Sequence, residues 1–399
     1  RSIALKGSSG KTLASGIAAA IDLTVSGQTL TLRESSLSHA QGINLLLHGA
    51  MQHFSTMDRS GTLSFSMPST PLNALLDVFA NGLPRILQEA VCKGTCMLGG
   101  AIELNGAKTR INGELSLESA TLEIPSQKVA VAGVNGRIPF SLAFPWSGTE
   151  PAHTLPSFSR ENYPEILKTL SRPAVSEHKM VLEKVRFGAL ETGPVTFNTA
   201  SAGGVIRVSP IEANLYDGKV RGNAYLLVKE TAEYGANILL NDISLNRLCD
   251  SFPAIRGYIS GRVDGIISLK NRKSGLKELT GYVNLWTRTG KGEKMLVSKE
   301  FLQKLAGKKL RGFFFTNDRP YDNGEVNAYL RDNYLTFEKL DISHTNFLGM
   351  KDLSVSVVPV QNRISLDHLL ASIREAAARG KKGDKEEAPP IQTDLKWLE

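Results

Sequence analysis

The chain lacks the residue patterns from which enzymes are usually identified. Only 7% of its 399 residues are aromatic, and its seven histidines are scattered without a metal-ligand spacing. It contains no Gly-x-Ser-x-Gly elbow, no His-Glu-x-x-His pair and no Gly-x-Gly-x-x-Gly at the start of a helix. Carboxylates occur on alternating positions, so no acid–base pair can be picked out. We therefore predict a non-enzymatic protein with no catalytic residue, no metal and no other cofactor.

One segment resembles a phosphate-binding loop. Residues 7–12 read Gly-Ser-Ser-Gly-Lys-Thr, but the first glycine of such a loop would occupy the position of Leu5 and here falls at Gly7. We predict a hairpin turn between two strands at this place.

Long apolar runs are also missing. No stretch of about 18 apolar residues occurs, so no part of the chain is predicted to cross a membrane as a helix. The net charge of +8 suits an anionic partner, either nucleic acid or lipid phosphate. Because the basic residues are scattered and do not alternate with aromatics, we predict no nucleic-acid partner. The chain opens in mid-pattern without a targeting segment, and we expect that segment to lie upstream in a longer protein.

Three cysteines are too few for a disulfide scaffold. Cys92 and Cys96 bracket three residues, and a loop of that length could close a disulfide, which would indicate an oxidising compartment. Two free thiols are the equal alternative. Cys249 replaces an aliphatic residue in a repeated helix and is predicted to be buried.

The chain does contain a unit that occurs three times. Each copy has an alternating strand and a short helix with a Leu-Asn/Asp-x-Leu core, and the first two copies continue into two glycine-started strands. The copies begin at 63–67, 238–240 and 353–357, and their helices at 72–79, 245–252 and 366–373. Repetition of this kind predicts stacked units, none of which buries its apolar residues alone.

Alternating strands separated by glycine turns predict a mostly β antiparallel meander. The predicted turns are Gly27, Asn105-Gly106, Asn112-Gly113, Asn135-Gly136, Asp217-Gly218, Asp264-Gly265 and Asn323-Gly324. Five prolines between 144 and 174 suggest a boundary. We predict a β region at 1–144, a Pro-rich connection at 145–178 with a helix near 161–170, a second β region ending in an amphipathic helix at 179–379, and a charged tail at 380–399. In the tail, Ile391, Leu395 and Trp397 form either a strand that adds to another sheet or a disordered terminus.

Several segments resemble the AsmA-like superfamily of bacterial envelope proteins, the TamB, YhdP and YdbH group. Residues 211–222 (IEANLYDGKVRG) are similar to the strand, aromatic-Gly turn, strand signature of that family, and 242–248 (DISLNRL) and 259–265 (ISGRVDG) follow in family order. Residues 133–139 (GVNGRIP) and 187–195 (FGALETGPV) resemble its YdbH-like branch most. The likeness extends over about 180–375 and, more faintly, 60–140. Asp217-Gly218 stands where the family often has Gly-Gly, which weakens the assignment to a branch.

The resemblance implies an elongated, curved antiparallel sheet that forms a trough or groove, with a few short capping helices. It also implies a periplasmic protein that is anchored in the inner membrane by an upstream segment, moves phospholipid towards the outer membrane, and meets a possible outer-membrane partner by strand addition. The candidate groove residues are the alternating apolar ones: Leu63, Phe65, Met67, Ile102, Leu104, Leu115, Leu117, Ile206, Val208, Leu226, Val228, Val263, Ile267, Leu269, Val283 and Leu285. The same alternation would equally build a closed sandwich.

Two other functions are compatible with these patterns. The first is an envelope or outer-membrane assembly factor that binds client β-strands, for which a closed core and exposed sheet edges are expected. The second is a carbohydrate-binding β-solenoid, for which the low aromatic content is unfavourable.

Overall fold

The structure, a computed structural model, is mostly β and consists chiefly of one large open antiparallel sheet with a few short helices. It describes residues 2–6, 12–82, 88–145, 158–172, 178–188, 190–228, 232–252, 255–271, 278–288, 292–305, 317–357, 363–366 and 371. The prediction of a mostly β fold built on an antiparallel sheet is confirmed.

The strands, in chain order, are β1 (Ser2–Lys6), β2 (Thr12–Ala20), β3 (Leu23–Ser26), β4 (Thr29–His39), β5 (Ile43–Gln52), β6 (Ser60–Pro71), β7 (Val91–Asn105), β8 (Lys108–Ile124), β9 (Val129–Phe144), β10 (Lys179–Phe187), β11 (Leu190–Thr192), β12 (Val195–Ala202), β13 (Val205–Leu215), β14 (Gly218–Leu227), β15 (Glu233–Ser244), β16 (Ile259–Ser260), β17 (Arg262–Asn271), β18 (Leu279–Thr287), β19 (Leu296–Val297), β20 (Arg319–Pro320), β21 (Asn323–Arg331), β22 (Tyr334–Thr345), β23 (Lys351–Val357) and β24 (Arg363–Ser365).

Strand pairing follows the chain almost without exception. The large sheet runs in the order β1, β2, β4, β5, β6, β7, β8, β9, β10, β12, β13, β14, β15, β17, β18, β21, β22, β23. The short strands β3, β11 and β24 pair with β4, β10 and β22. A second small sheet has the order β16, β19, β20. The strands on either side of the Pro-rich connection, β9 and β10, pair directly, so the two predicted β regions form one sheet.

The described part of the chain has four helices with assigned bounds, each in a connection between strands. They are α1 (Leu72–Phe79), α2 (Tyr163–Leu170), α3 (Leu245–Asp250) and α4 (Lys299–Leu305), and single 3-10 turns occur at Ala80–Gly82 and Pro125–Gln127. The Ser244 side chain caps α3 by accepting a hydrogen bond from the Arg247 backbone N–H at 3.2 Å. Proline in the first turn of α2 has a φ that suits a helix start, and α2 lies within the range predicted for it.

The first two copies of the repeated unit agree residue by residue. In β6 one extra residue lies between Met67 and Thr70, which pair with Leu98 and Cys96, and α1 begins two residues after Thr70. In β15 one extra residue lies between Leu240 and Ile243, which pair with Gly265 and Val263, and α3 begins two residues after Ile243. For these two copies the strand followed by a short helix is confirmed, but the return strands do not start at the predicted glycines, because Gly100, Gly113 and Gly281 lie inside β7, β8 and β18. In the third, most of the predicted helix lies outside the described residues, as does the tail from 372 onwards.

Bulges of the same kind occur throughout the sheet. One-residue bulges interrupt the pairing of β4, β6, β8, β13 and β15. Each bulge bends its strand and increases the local twist, so a sheet with bulges on many strands does not stay flat.

The glycine turns were predicted with mixed success. Gly27, Asn105-Gly106 and Asp217-Gly218 lie at hairpin turns, as predicted. Four predictions are wrong, because these pairs lie inside or at the start of long strands: Asn112-Gly113, Asn135-Gly136, Asp264-Gly265 and Asn323-Gly324. At Gly113 and Gly265 the missing side chain leaves room for a neighbour on the next strand, Phe140 and Leu285 respectively. For residues 7–11, which lie outside the described part, the flanking β1 and β2 do pair antiparallel.

The disulfide prediction is wrong, and the alternative of two free thiols is correct. Cys92 and Cys96 lie four residues apart on the continuous strand β7, not at the ends of a loop. Extended backbone separates such residues by about 13 Å, beyond the roughly 7 Å that a disulfide spans between Cα atoms. Burial raises the pKa of both thiols. Cys249 is buried in α3, as predicted.

Candidate functional site

The most extensive feature of the sheet is a continuous apolar face. Residues directly opposite each other in an antiparallel pair place their side chains on the same face, so the pairing can be followed from strand to strand. One such row crosses twelve strands, from β7 to β22, without a polar or charged side chain: Cys96, Leu117, Gly136, Met180, Phe197, Ile211, Gly222, Ile238, Ile267, Val283, Ala328 and Phe337. At the usual strand spacing this row is roughly 50 Å long. We call the surface that carries it the apolar face.

Parallel rows widen the apolar face to either side. In the first half, Met67 pairs with Leu98, Leu98 with Leu115 and Leu115 with Ile138. In the second half the corresponding row is Ala213, Val220, Leu240, Gly265, Leu285, Val326, Leu340 and Val357. The apolar face is therefore several side chains wide as well as long.

The opposite side of the sheet, which we call the polar face, has a different composition. Glu212 lies opposite Arg221, with 3.6 Å between Oε1 and Nε, and Glu325 accepts a hydrogen bond from the Lys339 ammonium at 2.8 Å. Amide and hydroxyl side chains form cross-strand ladders there, such as Ser268 Oγ to Asn237 Oδ1 at 2.6 Å. The two sides of the sheet thus separate apolar from polar side chains over most of its length.

The predicted groove residues can now be placed. Fifteen of the sixteen lie on the apolar face: Leu63, Phe65, Met67, Ile102, Leu104, Leu115, Leu117, Ile206, Val208, Leu226, Val263, Ile267, Leu269, Val283 and Leu285. Val228 follows the end of β14 and donates its backbone N–H to Gly204. Phe65, Met67 and Val263 are buried, Leu226 is exposed, and the other twelve are half-buried.

Half-burial is informative in a sheet. Neighbours on the adjacent strands, about 4.8 Å away, shield the flanks of each side chain, so complete burial needs a second layer on top. Ile267, Val283 and Leu285 are half-buried although each has neighbours on both sides. In contrast, Leu239 and Ile266, on the polar face of the same strands, are completely buried beneath α2. The described part of the apolar face is therefore open around Ile267, Val283 and Leu285, whereas Cys96, Met180 and Ala328 of the central row are buried.

Helix α2 accounts for a large apolar cluster on the polar face. Tyr163 and Ile166 of α2 pack with Leu239, Ile266 and Trp286, and the Tyr163 ring meets the Trp286 ring edge-on at 5.0 Å between centroids. The Tyr163 hydroxyl donates a hydrogen bond to the Leu240 carbonyl at 2.6 Å, and burial raises its pKa. The predicted short helix thus covers the sheet from the side away from the groove residues.

The other two clusters lie on the apolar face near its ends. Val78 of α1 packs with Ala14 and Ile17, close to Leu37 and Ile43. At the other end, Leu302 of α4 packs with Val297, Tyr321, Ile342 and Leu353. In the described part of the chain, α1 and α4 therefore cover the apolar face near its two ends.

A charged network fixes the bulge of β15. Asp242, with φ of 60°, donates its backbone N–H to Asp264 Oδ1 at 2.8 Å, and Arg262 donates to the Asp242 carbonyl at 2.8 Å. Burial raises the pKa of Asp264, and Arg288 lies 3.9 Å from its carboxylate. These contacts stabilise the backbone where the sheet leads into α3, so we assign these charged residues a structural role.

The polar face also carries a cleft of about 280 Å³ on β12, β13 and β14. Thr196, Glu212, Lys219 and Arg221 line it, and Glu212 neutralises Arg221. It does not continue the apolar face.

Much of the central row was not predicted as groove from the sequence. Met180, Phe197, Ile211 and Ile238 lie in it, as does Phe337. The alternation of Val195 with Phe197 was an available signal, whereas Ile238 is hidden in a continuous apolar run with Leu239 and Leu240.

Among the described residues, no cluster of three or more His, Cys, Asp or Glu side chains is arranged to hold a metal. The helices in that part of the chain are all too short or too polar to cross a bilayer. A scan against protein-family models, a search of the curated proteins and a search of the solved structures each find no match to this chain. The functional argument therefore depends on the apolar face itself.

Proposed function

We propose that this protein is a non-enzymatic phospholipid carrier whose apolar face holds acyl chains while they move between two membranes. The observation that carries the proposal is the row of twelve apolar or glycine residues, roughly 50 Å long, on a face of the sheet that is only half-buried around Ile267 and Val283 in the described part of the chain. A soluble protein rarely leaves so large an apolar surface without a ligand or partner.

The energetic need for such a surface is large. Moving a phospholipid through water exposes on the order of 30 methylenes at about 0.8 kcal/mol each, or roughly 24 kcal/mol. Acyl chains that lie along the apolar face avoid most of this cost, while the head group stays in water at the rim. Since neighbouring positions along the row are all apolar, a lipid gains and loses similar contacts at each step. Movement along the sheet then needs no nucleotide.

The cellular setting of the proposal comes from the resemblance to AsmA-like proteins. On that basis the chain lies in the periplasm, and the lipid moves between the inner and outer membranes. A segment upstream of the chain anchors the protein in the inner membrane. An outer-membrane partner would then add a strand near the carboxy terminus.

Native mass spectrometry of the purified protein, with organic extraction of bound lipid, tests the proposal. We expect co-purifying phospholipid and uptake of labelled phospholipid from vesicles. Ile267→Asp and Leu226→Asp place a charge on the apolar face and should abolish both. Thr280→Asp is the matched control, because Thr280 is exposed on the polar face of the adjacent strand. A lipid-free protein that takes up no lipid would refute the proposal.

One observation favours the assembly-factor alternative. The sheet is open and therefore has two edges, where unpaired backbone groups could accept a client strand. A lipid-free protein that binds an unfolded β-strand peptide would support that function instead.

A further inference from the structure

Three of the five most exposed large apolar side chains of the described part lie together on one hairpin tip. The turn between β22 and β23 carries Phe347, Leu348 and Met350, which are 95%, 64% and 57% exposed. Phe347 has almost no contact with the rest of the protein. We call residues 346–350 the apolar tip.

The backbone of the apolar tip is hydrogen-bonded within itself. The Asn346 side-chain oxygen accepts hydrogen bonds from the N–H groups of Leu348 and Met350, both at 3.0 Å. The Gly349 N–H donates to the Asn346 carbonyl, and the Asn346 N–H donates to the Met350 carbonyl, both at 2.9 Å. Four N–H groups thus need no water, which lowers the cost of moving this turn into an apolar medium.

We propose that the apolar tip docks the protein on a phospholipid bilayer by inserting Phe347, Leu348 and Met350 at the interface. A bilayer suits the tip better than a protein partner does, because three side chains on a turn offer far less than the roughly 800 Å² per partner of a stable protein interface. Lys351 follows the tip and is exposed, which places a cation at the level of the lipid phosphates.

The tip lies at one end of the apolar face, so docking would bring a membrane to the proposed lipid path. This part of the inference rests on the proposed function. The strands that lead to the tip carry Ile342 and His344 on β22, opposite Val355 and Leu353 on β23. Ile342 and Val355 lie next to Leu340 and Val357 on the same face, so the apolar face runs up to the base of the tip, where Leu302 of α4 packs on Ile342 and Leu353. A bilayer held there lies next to one end of the path that a lipid would follow.

Cosedimentation with vesicles of phosphatidylcholine and phosphatidylglycerol tests the docking. The triple variant Phe347→Ser, Leu348→Ser, Met350→Ser should bind roughly 100-fold more weakly than the wild type. Met57→Ser is the matched control, since Met57 is 85% exposed on a turn at the opposite ends of the strands, and it should bind as the wild type does. Lys351→Glu should weaken binding to these vesicles and not to vesicles of phosphatidylcholine alone.

The outcomes separate this inference from the proposed function. Equal vesicle binding by the wild type and the triple variant, or no binding by the wild type, would overturn the docking even if the protein carries lipid. Tip-dependent binding by a protein that never takes up lipid would support the docking and refute the carrier. Unchanged urea unfolding of the triple variant would show that any loss of binding does not come from misfolding.

Discussion

Ile266 and Ile267 are consecutive residues of β17 with the same side chain and opposite environments. Ile266 is completely buried under α2, where it packs with Ile166, Leu239 and Trp286. Ile267 lies in the central row of the apolar face and is half-buried. Truncating each to alanine measures directly whether the apolar face is covered.

The two substitutions should lower the free energy of unfolding by amounts that differ severalfold. Ile266→Ala removes three carbons from a closed core, at about 0.8 kcal/mol each plus a cavity term, so we expect a loss of about 3 to 4 kcal/mol. Ile267→Ala removes the same atoms from a surface that is already partly in water and leaves no enclosed cavity. Its expected cost is about 1 kcal/mol, part of which comes from the lower β propensity of alanine.

Urea unfolding followed by circular dichroism gives both values from the shift in midpoint at constant slope. The measurement is made on protein stripped of lipid, because a bound ligand would stabilise the folded state. If Ile267→Ala costs as much as Ile266→Ala, a second layer covers the apolar face, and the closed-sandwich interpretation replaces the open one.

Three further predictions concern the supports of the sheet. Tyr163→Phe removes the hydroxyl that donates to the Leu240 carbonyl and should lower the free energy of unfolding by about 1 to 3 kcal/mol, measured in urea. Gly235→Ala places a methyl group 2.6 Å from the Tyr225 ring and should lower the free energy of unfolding by about 1 to 3 kcal/mol. In a Tyr225→Ala background the same substitution should lower it clearly less, and equal losses would show that the ring is not the obstacle. Because burial raises the pKa of Asp264 above its ordinary 3.8, the folded state favours the neutral acid, and the wild type loses stability as pH rises through the folded-state pKa. The free energy of unfolding of Asp264→Asn minus that of the wild type should therefore increase between about pH 3 and about pH 7. A decrease over this range would contradict the raised pKa.

The sequence was sufficient for the class of fold and for predicting fifteen candidate residues that share one face of the sheet. Both depend on the period-2 alternation of a half-open strand, which is a local property: Leu63, Phe65 and Met67 show it within five residues. The repeated helices α1 and α3 were also visible, because each begins with Leu-Asn after an apolar strand.

Features that depend on neighbouring strands were not predictable in the same way. Asn112-Gly113 and Asp264-Gly265 have the composition of hairpin turns, yet both lie in strands where the glycine admits Phe140 or Leu285 from the next strand. Bulges could not be predicted for the same reason. The residue after Met67 is extra only in relation to the pairing partners on β7, which a local pattern does not show. The position of α2 on the polar face likewise depends on contacts far apart in sequence.

The pairing of nearly every strand with its neighbour in sequence makes the length of the sheet a simple function of the number of hairpins. Inserting or deleting one hairpin would lengthen or shorten the sheet by two strand spacings, about 10 Å, and would leave distant pairs intact. The length of such a sheet is set by its number of strands and can change in steps of one hairpin. Duplication of the gene segment that encodes a single unit is enough to change the distance that the sheet spans.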